Sequence, residues 1–513
     1  MARWLSRLAP AAALATALAV AGALPGLAGS ASVSAVSGPS PYAGCTAGAG
    51  TGKNYVNTEV EPQIAINPAN PSNIITTWQQ DRWSNGGSHG GAAAFTTNGG
   101  KSWKETTLPF SDCAPGGGIQ APDGQGFLRA SDFWVSFGPD GTAYANALAV
   151  DISDGRSGVA AVSSTDGGAT WNNNRLVFFS PTNQNSPDKN SITADPVKAG
   201  VAYQVWDTLT LATDNPDDNP HTAAYNGDAF FSMTADRGQT WTPPLDIFHT
   251  AQHNQTIGNV IVVDPNFPKG QGTIYDFTSF ITTPNSISNT QYFVAFVKST
   301  DGGAHWSQPQ LIAQEFTVGD VDPNTGAPLR VGDGIPEVAI DSQGNLYATW
   351  QDSSLFKRGQ TQGRIWDDEI ELTSSTNHGT TWSTPHVVSA FSGSPTYTPT
   401  VAVNSAGRVA LTYYQVDPSF TSTNTTTLPV DYYVAYSDDG GGTFGAPAKI
   451  KGPFNQLASP VARGHFLGDY MGLASSGTSF VAAFAADNCD DTSCTASATQ
   501  PVNAQDIYVA TGL

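Results

Sequence analysis

The chain has 513 residues, a formal net charge of −21 and only 13% charged residues. A surface this acidic argues against nucleic acid or an anionic membrane as a partner, so an anionic ligand would need a local cluster of cations. Beyond the N-terminus no stretch approaches the length of apolar sequence that crosses a bilayer, and no membrane span is predicted.

The N-terminus has the pattern of a secretory signal peptide. Two arginines within Met1–Arg7 precede a stretch that is almost entirely Ala, Leu, Val and Gly, and small residues follow it. We predict a signal peptide over residues 1–31, a flexible leader over residues 32–52 and one domain over residues 53–513. The protein is therefore expected to be secreted and extracellular.

Four cysteines in an exported chain favour two disulfide bonds. Cys489 and Cys494 enclose a short loop, which leaves Cys45 and Cys113 as the second pair. A zinc site is the alternative, but no histidine lies at ligand spacing beside any of the four. We predict no metal and no cofactor.

One octet recurs six times. Its copies begin at Thr96, Ser164, Thr234, Ser299, Ser375 and Ser437. The third residue is Asp or Asn, which can hydrogen-bond the backbone two residues on, and the fifth is always Gly. The closing Trp or Phe is an apolar anchor that we expect to be largely buried. A structural turn is predicted rather than a calcium loop, because each octet holds only one or two carboxylates.

Hairpins alternate with the octets. Clear copies lie at Glu61–Asp81, Ile335–Asp352 and Thr398–Asp417, and four looser ones bring the total to seven. One strand before and one after each octet complete four antiparallel strands per repeat, as in a propeller blade. The chain is therefore predicted to be an all-β propeller of seven blades, with six as the alternative. The seventh blade would take its fourth strand from the N-terminal side, with Lys53–Val60 as the candidate.

The octet resembles the Asp-box, or BNR repeat, of the sialidase superfamily, and the resemblance covers Glu59–Leu513. It implies a β-propeller, and less specifically a glycoside hydrolase, because Asp-box propellers include hydrolases, lyases and non-catalytic binding proteins. The chain diverges from typical sialidases. Their arginine motif is missing at Thr58–Pro62, and the loop Trp83–Gly91 holds no carboxylate.

Propeller topology predicts a ligand site where the crossings between blades converge on the axis. Six residues at these crossings are expected to bind substrate: Arg82, Arg129, Asp132, Arg330, Arg463 and Asp469. The planar guanidinium of arginine suits a carboxylate or a sulfate. The alternative is that the arginines form structural pairs with neighbouring aspartates.

The resemblance implies that Tyr397 is the nucleophile, Glu337 its activating base and Asp81 the acid. The predicted function is a secreted sialidase-like glycoside hydrolase, of the exo-α-sialidase type, that acts on an acidic glycan. The alternatives are a non-catalytic propeller that binds glycan or protein at the cell surface, and a propeller polysaccharide lyase. Carbohydrate is the expected partner and a monomer the expected state.

Overall fold

A computed structural model describes residues 31–513 except 49, 51, 216–224, 271, 284–288, 354–367, 390–393, 420–424 and 489–504. The regular secondary structure of the described residues is almost entirely β-strand, with a 3₁₀ turn at Gln456–Ala458. The signal peptide expected over residues 1–31 lies outside them apart from Ala31. No helix in this part of the chain has the length and apolar character needed to cross a membrane.

Each repeat folds into four antiparallel strands in sequence order, because short β-rich runs are separated by Gly, Pro and Asn turns. The first strand of the chain, β1 (Ser32–Ala35), joins the last repeat. Unit one contains β2 (Glu59–Ile66), β3 (Ile74–Arg82), β4 (Ser88–Thr96) and β5 (Lys104–Leu108). Unit two contains β6 (Arg129–Phe137), β7 (Ala143–Val150), β8 (Ser157–Ser164) and β9 (Asn172–Ser180). Unit three contains β10 (Asn185–Ala194), β11 (Ala202–Thr210), β12 (Asn226–Thr234) and β13 (Leu245–Phe248).

The remaining units repeat this order. Unit four contains β14 (Gln255–Asp264), β15 (Thr273–Thr282), β16 (Gln291–Ser299) and β17 (Gln310–Glu315). A small sheet follows from β18 (Asp320–Val321), β19 (Pro328–Arg330) and the later β28 (His465–Phe466). Unit five contains β20 (Glu337–Ile340), β21 (Leu346–Asp352), β22 (Glu369–Ser375) and β23 (His386–Val387). Unit six contains β24 (Thr396–Val403), β25 (Val409–Val416), β26 (Pro429–Ser437) and β27 (Ala448–Asn455).

Unit seven contains β29 (Gly472–Ser476), β30 (Ser479–Asp487), β31 (Gln505–Thr511) and the N-terminal β1. Ser32 lies opposite Thr511 in an antiparallel pair. The N-terminal side does supply the fourth strand, but Lys53–Val60 is not that strand. The expected flexible leader is thus partly ordered, and the compact unit of the fold begins at Ala31 rather than at residue 53.

The octets form the turns between the third and fourth strands. In the second octet the Asp166 carboxylate accepts hydrogen bonds from the Thr170 amide at 2.9 Å and the Thr170 hydroxyl at 2.6 Å. The Ser164 hydroxyl donates to Asp166 at 2.8 Å and accepts from the Gly168 amide at 3.0 Å. These bonds satisfy the backbone of the turn from within.

The closing aromatic residues are half-buried, not largely buried as expected. The reason is that each turn lies at a sheet margin and its ring packs against the preceding unit. Trp306 of unit four lies 5.2 Å from Phe231 of unit three, measured between ring centroids. Trp382 of unit five lies 6.0 Å from Phe277 of unit four. The octets therefore contribute to packing between units as well as to local turns.

The first strands of the seven units contact one another in a cycle, β2 to β6, β10, β14, β20, β24, β29 and back to β2. Five of these strands carry a β-bulge at the same point of the repeat. At each bulge one residue has a positive φ: Glu61, Asp132, Lys189, Gly258 and Thr398. A bulge turns its side chain away from the regular alternation of the strand, and here it does so on the first strand of five units.

Candidate functional site

The bulged inner strands and the crossings between units enclose a cavity of about 840 Å³. A volume of this size is typical of small-molecule sites. Five of the six residues predicted to bind substrate line it: Arg82, Asp132, Arg330, Arg463 and Asp469. The structure thus brings together side chains that are separated by nearly the whole length of the domain.

The small sheet places Arg330 beside Asp469. Strand β19 pairs in parallel with β28, so that Arg330 lies opposite Phe466. The guanidinium donates through Nε to Asp469 Oδ1 at 3.0 Å and through Nη2 to the second carboxylate oxygen. It also lies 4.1 Å from the centroid of the Phe466 ring. Arg330 is therefore held by a bidentate ion pair and by a cation–π contact.

Lys189 occupies the base of the cavity and is only 8% exposed. Its Nζ atom lies 2.5 Å from Asp469 Oδ2, 3.6 Å from Asp132 Oδ2 and 3.8 Å from Glu61 Oε1. Burial opposes the charge of the lysine, but Asp132, Asp469 and Glu61 outweigh it and raise its pKa. Burial raises the pKa of Glu61 to about 8, although Lys189 partly offsets the effect.

Arg82 and Arg463 have no ion-pair partner in the described part of the chain. Arg82 is buried and donates through Nη1 to Gln79 Oε1 at 2.6 Å, while its Nε has no described partner. Burial and the neighbouring Arg330 lower the pKa of Arg82 to about 10. Arg463 is exposed at the cavity, where partial desolvation by the walls and then Arg330 lower its pKa. Three guanidinium groups therefore share one cavity, and only Arg330 forms an ion pair there. Asp469 and Glu61 attract Arg82 and Arg463 from a longer range.

The cavity also contains carboxyl groups that the sequence analysis did not assign to the site. Asp333 lines the cavity with an exposed side chain. The surrounding cavity walls partly desolvate it and raise its pKa to about 6, with further contributions from Asp368 and Asp469. Asp188 lines the cavity and lies opposite Asp207 in the register of β10 and β11. Burial, then Asp188, raises the pKa of Asp207 well above its ordinary value.

Lys189 and Glu61 were also missed, although a signal for them exists. When the hairpin copies are aligned on their bulges, Glu61, Asp132 and Lys189 occupy one column of the repeat. Charged residues are rare in this chain. Opposite charges at equivalent positions of different repeats indicate that these side chains meet in one site.

The three residues expected to be catalytic do not line the cavity. Tyr397 is fully buried, donates its hydroxyl hydrogen to Gln456 and stacks on Tyr414. Burial raises its pKa well above the ordinary value. Thr398, the next residue, occupies the bulge position, and neighbouring residues of a strand point to opposite faces. Tyr397 therefore points into the packing between units.

Glu337 and Asp81 are also buried outside the cavity. One carboxylate oxygen of Glu337 has no described hydrogen-bond partner, and burial raises the pKa of the group to about 8. Asp81 accepts hydrogen bonds from Ser40 Oγ at 2.7 Å and the Asn57 amide at 2.8 Å, and lies 3.1 Å from His89 Nδ1. Asp81 thus holds the N-terminal segment rather than facing a ligand.

Arg129 supports the cavity without lining it. The buried guanidinium donates through Nη1 to the Gly86 carbonyl at 2.7 Å and through Nη2 to the Gly48 carbonyl at 2.7 Å. It also lies 4.1 Å from the centroid of Trp83. Because Gly86 belongs to a loop that lines the cavity, Arg129 fixes that loop from behind.

The predicted disulfide between Cys45 and Cys113 is present, with a Cα separation of 5.6 Å. It ties the N-terminal segment to the crossing between units one and two, and it is compatible with an extracellular protein. Cys489 and Cys494 lie outside the described residues.

One group of potential metal ligands is found among the described residues, although no metal was predicted. The ligand atoms of Asp228, Asp246 and His249 all lie within 4.8 Å of one another. His249 Nδ1 lies 2.9 Å from Asp228 and 3.1 Å from Asp246, which a protonated imidazole between two carboxylates explains. None of the three lines the cavity.

No protein-family model and no curated protein matches the sequence. Among solved structures, the chain is similar to a Hadza microbial sialidase at 14% identity and a TM-score of 0.41, over 85% of this chain and 73% of that one. It is also similar to an α-L-arabinanase from Penicillium chrysogenum at 10% identity and a TM-score of 0.43, over 90% and 98%. An ulvan lyase is similar at 11% identity and a TM-score of 0.44, over 88% and 94%. These TM-scores lie below 0.5, and the similarities carry no argument about function.

Proposed function

We propose that the protein is a secreted, carbohydrate-active Asp-box propeller of seven blades that hydrolyses an acidic glycan in its central cavity. The blade count is supported by seven four-stranded units whose first strands contact one another in a cycle. The octet turns support the Asp-box assignment, because the Asp or Asn of each accepts hydrogen bonds from within its own turn.

The single observation that carries the proposal is the cluster of Arg82, Arg330 and Arg463 in one cavity. Two of these guanidinium groups lack a carboxylate partner in the described residues, and each is disfavoured by the neighbouring Arg330. The chain contains 43 Asp and Glu residues, yet none in its described part forms an ion pair with either group. A ligand carboxylate or sulfate would supply the missing partner through charge-assisted, two-pronged hydrogen bonds.

The cavity carboxyl groups can supply the chemistry of glycoside hydrolysis. Asp333, with its pKa raised to about 6, is protonated in a useful fraction of molecules and can donate a proton to the glycosidic oxygen. Asp188 is the candidate base that removes a proton from the attacking water as the bond to the leaving alcohol breaks. These two residues take the acid and base roles that the resemblance had implied for Asp81 and Glu337.

The test compares binding and turnover of sialylated, uronate-containing and neutral oligosaccharides by the wild type and two arginine variants. Arg463→Ala and Arg82→Gln are each expected to weaken binding of the acidic ligand about 10–100-fold, because each removes a charged hydrogen-bond donor. Arg408→Ala, an exposed arginine paired with Asp438, is the matched control and should bind normally. Equal affinity of wild type and both variants for every acidic glycan would refute the proposal.

A non-catalytic propeller that binds an acidic glycan is the second candidate function. It is favoured by the burial of Tyr397, Glu337 and Asp81 outside the cavity. The variant Asp333→Asn separates the two functions. A hydrolase would keep its affinity and lose at least about 100-fold in turnover, as removal of a general acid does. A binding protein would show affinity without turnover already in the wild type.

A further inference from the structure

We infer that the acidic ligand carries an aliphatic substituent, and that this substituent packs on an apolar wall of the same cavity. The inference rests on the proposed function and names the class of glycan: an acidic glycoconjugate with an alkyl aglycone rather than a bare, fully polar sugar. The side chains that line the cavity, and the cost of placing a polar sugar beside them, support it.

The apolar wall is built by aliphatic side chains from four consecutive units. Leu148 and Val150 lie two residues apart on β7 and so share a face of unit two. Leu209 near the end of β11, Ile257 at the bulge of β14 and Ile335 just before β20 continue the wall through units three, four and five. Val150 and Ile257 are half-buried and present apolar surface to the cavity, while Leu148, Leu209 and Ile335 are buried and support it.

No aromatic ring is among the described residues that line the cavity. The large, flat surface that aromatic residues offer to a sugar is therefore missing. Aliphatic side chains cannot accept or donate a hydrogen bond, so a sugar hydroxyl held against them would lose its water without a replacement partner. Methylene groups of the ligand would instead be stabilised there, because burying apolar surface on both sides is favourable.

Ile152 extends the wall to the mouth of the cavity. It is 39% exposed, which is unusual for isoleucine. The turn that presents it is well fixed: Asp151 accepts hydrogen bonds from the Ser153 amide at 2.9 Å, the Ser153 hydroxyl at 2.6 Å and Arg156 at 3.0 Å. A rigid turn that displays an apolar side chain at a cavity mouth is preorganised to contact a ligand.

The experiment that tests the wall uses methyl, butyl and octyl α-thiosialosides, which resist hydrolysis, and octyl thioglucoside as the neutral probe. Affinities are measured by calorimetry on the full chain, below the concentration at which the probes aggregate. Each methylene that reaches the wall is expected to increase affinity about fourfold. Ile152→Ser and Ile257→Ser should flatten this dependence on chain length, whereas Leu311→Ser, an exposed leucine on the outer strand β17, should not.

The outcomes separate the inference from the proposed function. Tight binding of every thiosialoside with no effect of chain length would overturn the inference and leave the acidic ligand in place. Equal binding of octyl thioglucoside and octyl thiosialoside, both sensitive to Ile152→Ser, would support the apolar wall and overturn the acidic ligand. Absence of binding by all four probes would overturn both.

Discussion

Buried ionisable residues of this protein differ in whether the fold gives them a partner. Lys189 has three carboxylates within 4.0 Å. Two nitrogens of Arg129 donate to backbone carbonyls, while its Nε has no described partner. Glu337 is as buried as these residues, yet one of its oxygens has no described partner. The charged form of Glu337 is therefore disfavoured, and burial of this carboxyl group destabilises the fold when it ionises.

Glu337→Gln is expected to stabilise the protein at high pH. The folded-state pKa of Glu337 is raised to about 8 from an ordinary value of 4.5. Its contribution to stability is fully present below the ordinary pKa and is lost as the pH rises through about 8. Glutamine does not titrate, so if the two proteins are matched at pH 5 the variant should exceed the wild type by about 4 kcal/mol at pH 9.

Chemical denaturation at both pH values measures this difference, and Asp214→Asn, an exposed carboxylate, is the control. A variant that is less stable at both pH values would show that the carboxylate makes a stabilising bond. Loss of turnover without loss of stability would return Glu337 to the role of an activating base.

Turns are the elements in which sequence and structure agree best. The octets lie between the third and fourth strands of six units, as their spacing indicated, because the Asp or Asn side chain and the invariant glycine act within eight residues. The inner-strand bulges are a different kind of element. They place Glu61, Asp132 and Lys189 together, and nothing in the local propensity of those strands requires a left-handed residue there.

Asp439→Ala is expected to destabilise the protein by about 1 kcal/mol near neutral pH, because it removes hydrogen bonds from Ser437 and Thr443. These bonds lower the pKa of Asp439 to about 2. A lowered pKa means that the stabilisation is present above the ordinary value of 3.8 and is lost as the pH falls through about 2.

The difference in unfolding free energy between Asp439→Ala and the wild type should therefore shrink between pH 5 and pH 2. Asp439→Asn is the matched variant, since Asn98 and Asn377 occupy the same position in other octets and accept the same backbone bond. Its stability should stay close to that of the wild type near neutral pH. An asparagine variant as unstable as the alanine variant would contradict this account of the turn.

The whole molecule depends on contacts between the two ends of the domain. Strand β1 pairs with β31, and Gln505 donates to the Glu59 carbonyl at 2.6 Å across nearly the whole chain. Lys189 adds a second long-range link, because its partners Glu61, Asp132 and Asp469 come from units one, two and seven. The cavity therefore exists only when the first and last units meet.

A chain that begins at residue 38 lacks β1 and leaves the edge of β31 without a partner. We expect a lower melting temperature and aggregation that increases with concentration, because an unpaired apolar edge strand is a template for further pairing. A chain that begins at residue 31 retains β1 and is the control. Thermal denaturation with light scattering measures both effects. Equal stability of the two truncated chains would show that β1 adds nothing to the closure of unit seven.

The sequence alone determined the repeat, the four-stranded units, the octet turns and one disulfide. The octet turns and the strands depend on residues close in sequence, because a side chain bonds its own turn and strand residues alternate with a period of two. The disulfide follows from the number of cysteines in an exported chain. The arginines at the crossings were also predictable, since propeller topology specifies which loops converge.

Only the tertiary structure decided which side chains meet at the axis. Side chains alternate across a strand, so a single bulge exchanges the residue that faces the cavity for its neighbour, as with Thr398 and Tyr397. Burial in the assembled cavity raises the pKa of Asp333, and carboxylates of units one, two and seven raise that of Lys189, which no local pattern reveals. The fourth strand of unit seven is also determined by pairing between distant parts of the chain. Ser32–Ala35, rather than Lys53–Val60, forms this strand.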